Sequence, residues 1–303
     1  MDTILEQSDS YNPILYSGTI IASHSSTLQK WNILDTADEG EILFIDNQLQ
    51  SCKKDEYIYH EMFVHSLMAG CRNKKRVLIL GGSEGCVLRE VLKWNDVDSV
   101  VQVDWDVSLV DYFKGEGASW NNNSYADPRV SVVAKDALEW LKETDELFDC
   151  IFIDLLDPTN MYMPFFKGLF DMCKNHLTKY GGLIMNAGCV NNLSTINVAL
   201  EFKKHFNDMN MEFGALHVHV PSFKDDWTFI MIHSKSWSII IHESIPPSDI
   251  KYYSKDILIT SLQWSADDNY FLRTFWKELP CTKKLINNNI VLENIDFSSI
   301  DAC

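Results

Sequence analysis

Basic charge is what this chain has least of. Its 303 residues carry 26 Lys and Arg against 43 Asp and Glu, a formal net charge of −17. Nucleic-acid binding needs a basic face to neutralise phosphate, and this composition offers none. A negative field gathers cations instead, although acidity can also serve solubility alone. Long apolar runs are missing too: none approaches the roughly 18 residues of a membrane-spanning helix. The eight cysteines, at 52, 71, 86, 150, 173, 189, 281 and 303, include no Cys-x-x-Cys pair, which argues against a zinc ribbon or a redox dithiol. Several lie in apolar runs, as reduced thiols do in a reducing compartment. The opening residues, MDTILEQSDSYNP, are acidic, unlike a signal or transit peptide, so the cytoplasm is the expected location. What is present, 46% hydrophobic and 23% charged residues, is the make-up of an ordinary globular protein.

From Ile14 to about Gln50 the segments GTIIAS, KWNILD and EILFIDNQLQS read as strands, with Asp46-Asn47 as a hairpin turn. The stretch from Asp55 to Gly70 then reads as an amphipathic helix with apolar residues at 58, 62, 63, 67 and 68. Beyond it the chain alternates. RVLILGG, VVQVDWD, RVSVVAKD, CIFIDLLD and GGLIMNAG are continuous apolar strands, separated by helical segments near 86–94, 106–115, 137–143, 161–178 and 191–207. Strands without polar alternation are buried on both faces, which predicts a doubly wound, mostly parallel α/β sheet of Rossmann-like type. FGALHVHV and WTFIMIHS add an antiparallel pair at its edge. A small β-strand domain over 1–60 and a catalytic domain over 61–303 are expected, and the tail after about residue 286 is uninformative.

Ligands of such a sheet bind beyond the carboxyl ends of its strands, so the residues there carry the chemistry. The first strand ends in LGGSEGC, where Gly81 and Gly82 let a nucleoside approach, while Glu84 disfavours a pyrophosphate and welcomes a cation. The second ends at Asp104, about twenty residues on, the spacing of a carboxylate that takes ribose hydroxyls. Asp106 beside it serves equally as a helix N-cap. The third delivers Asp136 and Ala137, placed to read an adenine edge, though Asp136 is also a natural N-cap. The fourth delivers Asp154 and Asp157, followed by Pro158. Four strand ends bring an acid and none brings a Lys or Arg at the same point, which fits an S-adenosyl nucleoside whose side chain ends in an ammonium rather than an amino acid. An amine would attack the carbon next to the sulfonium. It must be neutral to do so, and a carboxylate must take its proton.

These residues resemble the aminopropyltransferases, the spermidine, spermine and thermospermine synthases, from about Gly40 to Ser234. LFIDNQLQSCKKDEYIYHEM is similar to their N-terminal hairpin and gate, GGSEGCVLREVL to their glycine motif, and DLLDP to their catalytic loop. The resemblance implies decarboxylated S-adenosylmethionine as co-substrate, with Gln50 near the sulfonium, His60 beside the aminopropyl group and Asp154 as the base. Gly81, Gly82, Glu84, Asp104, Asp136 and Ala137 would complete that site. Tyr59 and Asp157 would line the acceptor cavity. HVPSFKDDW, with Val220 where spermidine synthases have tyrosine, is similar to the thermospermine and spermine synthases. It implies spermidine as acceptor, held by Phe223, Asp225 and Trp227. A homodimer is implied as well.

Other readings remain open. A methyltransferase would share the sheet but needs a partner for the methionine carboxylate, which Glu84 opposes. A non-catalytic paralogue would have lost Asp154, and a spermidine synthase using putrescine is the nearest alternative. His217 and His219, two apart on one strand, have no evident third ligand, so no metal is expected.

Overall fold

The computed structural model describes residues 1–6, 13–189, 202, 205, 206, 208, 211–233 and 246–262. Two sheets organise them. The first is antiparallel and follows chain order: β1 (Asp2–Glu6), β2 (Ile14–Ser25), β3 (Lys30–Thr36), β4 (Gly40–Ile45) and β5 (Gln48–Cys52). Asp46 and Asn47 join β4 to β5 with φ of 49° and 63°, the left-handed pair that a two-residue hairpin requires. The edge strand β1 lies before the segment where strand pattern first becomes legible. Ile4, Leu34, Ile42, Phe44 and Cys52 fill one face of the sheet. Trp31, Ile33 and Leu43 on the other face pack against Leu109, Phe113 and Trp120 of the second unit.

The second sheet has seven strands in the order β11-β12-β10-β9-β6-β7-β8. Its members are β6 (Arg76–Gly81), β7 (Ser99–Asp104), β8 (Val130–Ala134), β9 (Phe148–Asp154), β10 (Leu177–Cys189), β11 (Glu212–Val220) and β12 (Asp225–His233). Strands β6 to β10 pair in parallel, and β12 pairs antiparallel with both β10 and β11. The expected doubly wound sheet with an antiparallel edge is therefore present. Successive side chains of a strand point to opposite faces, and both faces are covered. Val77 and Ile79 meet α1 (Glu56–Met68) and α2 (Cys86–Leu92). Leu78 and Leu80 meet α4 (Ala137–Glu143) and α5 (Met163–Asn175). Helix α3 (Val107–Lys114) faces the N-terminal sheet, and α6 (Lys255–Ser261) lies against the first of these cores. The helix expected near 191–207 falls almost wholly outside the described residues. Among the described residues no helix is long and apolar enough to cross a membrane.

Two elements differ from their sequence pattern. Helix α1 is not amphipathic in its surroundings: every residue from Glu56 to Met68 except Tyr57 is buried, and the helix stops at Met68, short of Gly70. It lies between the sheet and a strap at 250–253, whose backbone N–H groups at Lys251, Tyr252 and Tyr253 donate to the Glu61 carboxylate over 2.6–3.2 Å. Polar residues at 56, 60, 61 and 65 are thus spent on buried partners rather than on water. The expected division between residues 60 and 61 falls inside this helix. Asp225 lies between the two segments expected as edge strands, yet it is the first residue of β12, paired with Val220; the loop between the last two strands is only Pro221–Lys224. The ladder extends two residues before Trp227 because Asp225 is buried and its backbone must pair.

Candidate active site

The chain reverses its strand order between β6 and β9, the place where open α/β sheets hold ligands. Gly81 and Asp154 are direct neighbours in that pair of strands. A Cβ on Gly81 would stand 2.1 Å from the Asp154 carbonyl oxygen, and its φ of +85° is itself unfavourable to other residues. The turn is held from beneath by Gln102, whose Nε2 donates to the Gly81 and Gly82 carbonyls at 2.9 and 2.8 Å. Tyr125 donates to the Ser83 carbonyl at 2.7 Å. The glycine turn and the strand end that carries Asp154 are therefore one construction.

Asp154 projects from the end of β9, and its Oδ1 accepts the Tyr59 hydroxyl at 2.9 Å. Burial, with the charges of Glu84 and Asp157, pushes the carboxyl up to about 7; the Tyr59 bond and the charge of His60 act against that rise. A base that ionises near neutrality suits proton removal at working pH. Tyr59 is pushed well above the usual phenol range by burial and by Asp154, so it donates and does not ionise. Asp157 accepts Asn186 Nδ2 at 2.7 Å, and burial raises it against that bond. The residue as a whole is exposed.

Behind these acids runs a buried ionic chain. His60 Nδ1 lies 2.8 Å from Glu56 Oε2, and Nε2 lies 3.1 Å from Glu84 Oε1. Burial alone would lower the imidazole, but the two carboxylates outweigh it and hold it up to about 10. Glu56 in turn takes both terminal nitrogens of Arg89, at 2.8 and 2.9 Å. Burial opposes its ionisation, yet His60 and Arg89 bring it down to about 2. His60, Glu84 and Asp154 place one possible metal-ligand atom each within 4.8 Å of one another. With both imidazole nitrogens engaged by carboxylates, the ring is a fixed imidazolium rather than a vacant ligand.

At the end of β7, Asp104 is pushed up to about 6 by burial, against bonds from the Ser83 hydroxyl at 2.6 Å and the Asp106 N–H at 2.8 Å. Asp106 is the N-cap of α3, accepting from the backbone of Ser108 and Leu109. Asp136 likewise caps α4 by accepting from Glu139 N, with Ala137 buried behind it. Gln50 is exposed on β5, where its Nε2 donates to the Gln48 carbonyl at 3.4 Å; the structure does not bring it to the acids.

Before and along β12, Phe223 packs on Trp227 with ring centroids 4.7 Å apart and on Tyr59 at 6.0 Å. Trp227 Nε1 donates to Asn186 Oδ1 at 2.7 Å, so Asn186 links the indole to Asp157. Asp225, two residues before Trp227 and therefore on the same face of β12, accepts Cys189 Sγ at 2.6 Å and Asp226 N at 2.7 Å. His217 and His219 both turn Nδ1 to Asp226, at 3.2 and 2.9 Å.

A family model for the spermine/spermidine synthase domain matches residues 56–243, the span that holds nearly all of these groups. The chain belongs to that family. The polyamine aminopropyltransferase of Saccharolobus solfataricus is 32% identical over 215 residues, 70% of this chain and 71% of its own length. That of Oceanobacillus iheyensis is 30% identical over 275 residues, 89% of this chain and 52% of that longer protein. The crystal structure of spermidine synthase from Thermotoga maritima matches in fold, with a TM-score of 0.77 at 21% identity over 87% of this chain and 91% of that one. As an aminopropyltransferase the chain uses residues that its sequence did not single out. Glu56, Arg89, Gln102 and Asn186 all carry site geometry. Gln102 and Asn186 were detectable as lone polar residues in otherwise apolar strands, VVQVD and LIMNAG. Glu56 and Arg89 gave no local signal, because a charged residue on a helix is ordinarily solvated.

Proposed function

We propose that this aminopropyltransferase transfers the aminopropyl group of decarboxylated S-adenosylmethionine to a terminal amine of spermidine. The observation that carries the reading is the placement of Asp154. It stands at the switch point against Gly81, tuned to about 7, with Glu84 on the adjoining turn linked to the same cluster through His60. The donor's adenosine would lie over the glycine turn with its ribose on Asp104, and its ammonium against Glu84. An amine of the acceptor, lined up with the carbon–sulfur bond, forms a carbon–nitrogen bond as that bond breaks. The electron pair passes to sulfur, the sulfonium becomes a neutral thioether, and methylthioadenosine leaves. The surplus proton on nitrogen goes to Asp154 and from there to water. No proton donor is needed for the leaving group, which matches a cleft whose acids face cations.

The acceptor is read from β12. Phe223 and Trp227 offer a wall for methylenes, Asp157 an acid beside the base, and Asp225 a further acid beyond it, as a triamine requires. Putrescine is the second reading. It is favoured by one observation: Asp225 already accepts two hydrogen bonds, leaving less of its capacity for an ammonium. Product analysis with decarboxylated S-adenosylmethionine and either putrescine or spermidine separates the two. Turnover of putrescine well above spermidine would make this a spermidine synthase. Chromatographic resolution of spermine from thermospermine would identify which end of spermidine reacts.

A further inference from the structure

We propose that Arg89 is a positioning residue for the donor's aminopropyl subsite, acting through Glu56 and His60 on Glu84. The inference rests on the reading of Glu84 as the ammonium's partner. Arg89 itself cannot touch the donor, because its nitrogens are committed elsewhere. Nη1 and Nη2 grip the two oxygens of Glu56, Nε donates to Glu90 Oε1 at 2.7 Å, and Nη1 also donates to the Trp120 carbonyl at 2.6 Å. Its influence reaches the cleft through Glu56 Oε2, which takes His60 Nδ1 at 2.8 Å, a proton shared with the Glu56 backbone carbonyl at the same distance. A carboxylate flanks the ring on each side, and the imidazolium held between them donates from both nitrogens. The Nε2 proton then fixes Glu84 Oε1 and leaves Oε2 for an incoming ammonium.

Glu84 needs such an anchor. It stands on a turn between Gly82 and Gly85, both in the left-handed region at φ of 67° and 75°, and its backbone is tied mainly by Asn121 Nδ2 on its carbonyl at 2.9 Å. The side chain has no helix or strand to hold its rotamer. Without the guanidinium, Glu56 would be a buried acid with only His60 as counter-charge. It would then either take up a proton or draw the imidazole toward itself, and both release Glu84. A bidentate arginine–carboxylate pair is suited to this role because its geometry is planar and stiff. An arginine that merely glued α2 to α1 would affect every ligand of the cleft alike, whereas a positioning residue affects only ligands that carry the aminopropyl ammonium.

Calorimetric binding of decarboxylated S-adenosylmethionine and of methylthioadenosine, which lacks that group, distinguishes these roles in Arg89→Met, Arg89→Lys, Glu56→Gln and Glu84→Gln. Arg89→Met is expected to weaken the donor about tenfold or more, the scale of one charge-assisted hydrogen bond, and methylthioadenosine by less than about twofold. Glu56→Gln should repeat that selectivity, and Arg89→Lys should recover part of the loss by keeping the charge without the fork. In a Glu84→Gln background, Arg89→Met should add less than about twofold, since both changes act on one contact. If Arg89→Met does not fold, Glu56→Gln and Arg89→Lys carry the same comparison. Equal weakening of both ligands in folded variants, or full additivity with Glu84→Gln, overturns the proposal. Glu84→Gln weakening both ligands equally would instead overturn the reading of Glu84, and the proposal with it.

Discussion

Replacing Asp154 by asparagine tests the chemistry most directly. The amide is nearly isosteric, and its oxygen can still accept the Tyr59 hydroxyl, which stands 2.9 Å from Oδ1 in the wild type. What is lost is the ability to take a proton. Removing a general base costs about 10²–10⁴ in rate, or about 3–5 kcal/mol of barrier. Asp157 could act as a weak substitute, which places the expected loss toward the lower half of that range. The pH profile adds a second reading. With the carboxyl at about 7, only about a tenth is ionised at pH 6 and about nine tenths at pH 8, so the wild-type rate should climb with unit slope below neutrality and flatten above it. Single-turnover rates with saturating acceptor should show that inflection in the wild type and not in Asp154→Asn.

Stability should move the other way. The folded state raises this carboxyl above its ordinary value of 3.8, so folding favours its protonated form. Its ionisation therefore costs stability, increasingly from about pH 4 and fully above about pH 7. At pH 8 Asp154→Asn should melt no lower than wild type, and its inactivity is then not a folding defect. A rate within threefold of wild type, or an inflection near 7 that survives the substitution, would refute the assignment of Asp154 as the base.

Asp225→Asn should raise KM for spermidine more than it lowers kcat, because the contact is remote from the reacting carbon; putrescine kinetics should hardly change, and an equal effect on both acceptors would count against it. Gly81→Ala should fail to accumulate as a folded protein or should melt far below wild type, since the added methyl would meet the Asp154 carbonyl at 2.1 Å; a normal melting curve with normal rates would be inconsistent with this strand pairing. Glu56 and Glu90 are both held down to about 2, by His60 and Arg89 in one case and by His65 and Arg89 in the other, against the cost of burial. Their stabilisation is present above about pH 4.5 and is lost as pH falls toward 2, on the order of 3 kcal/mol each. Acid titration followed by circular dichroism should show a steep loss across that window, and Glu90→Gln should make it shallower.

How much of this is written locally along the chain can be judged from particular residues. The run RVLILGG carries its own fate, because side chains two apart share a face and an unbroken apolar run has water on neither. Asp46-Asn47, Gly81, and the acids at the ends of β7, β8 and β9 are equally local: a turn conformation or a strand end is a property of a few neighbouring residues. So the doubly wound sheet and the acids at the carboxyl ends of its strands could be read before any tertiary contact was known, and the family motifs added expected roles for those acids. The strand β1 and the true start of β12 were not legible, since a short edge strand is decided by the partner it finds. Nor was the burial of α1 on every side, which follows from the strap that Glu61 holds and not from the helix's own periodicity.

Partnership is what only the tertiary structure decided. Arg89 and Glu56 are 33 residues apart, Asn186 and Asp157 are 29, and Asn186 and Trp227 are 41. A hydrogen bond between them depends on the order in which strands are laid beside one another and on how closely two helices cross, and no spacing along the chain encodes either. The physical reason is that periodicity reports which face of an element a side chain occupies, while a catalytic site depends on distances of about 3 Å between faces of different elements. Polar residues in apolar strands, such as Gln102 and Asn186, mark where such partners must exist, because a buried donor without one is costly. They do not say who the partner is.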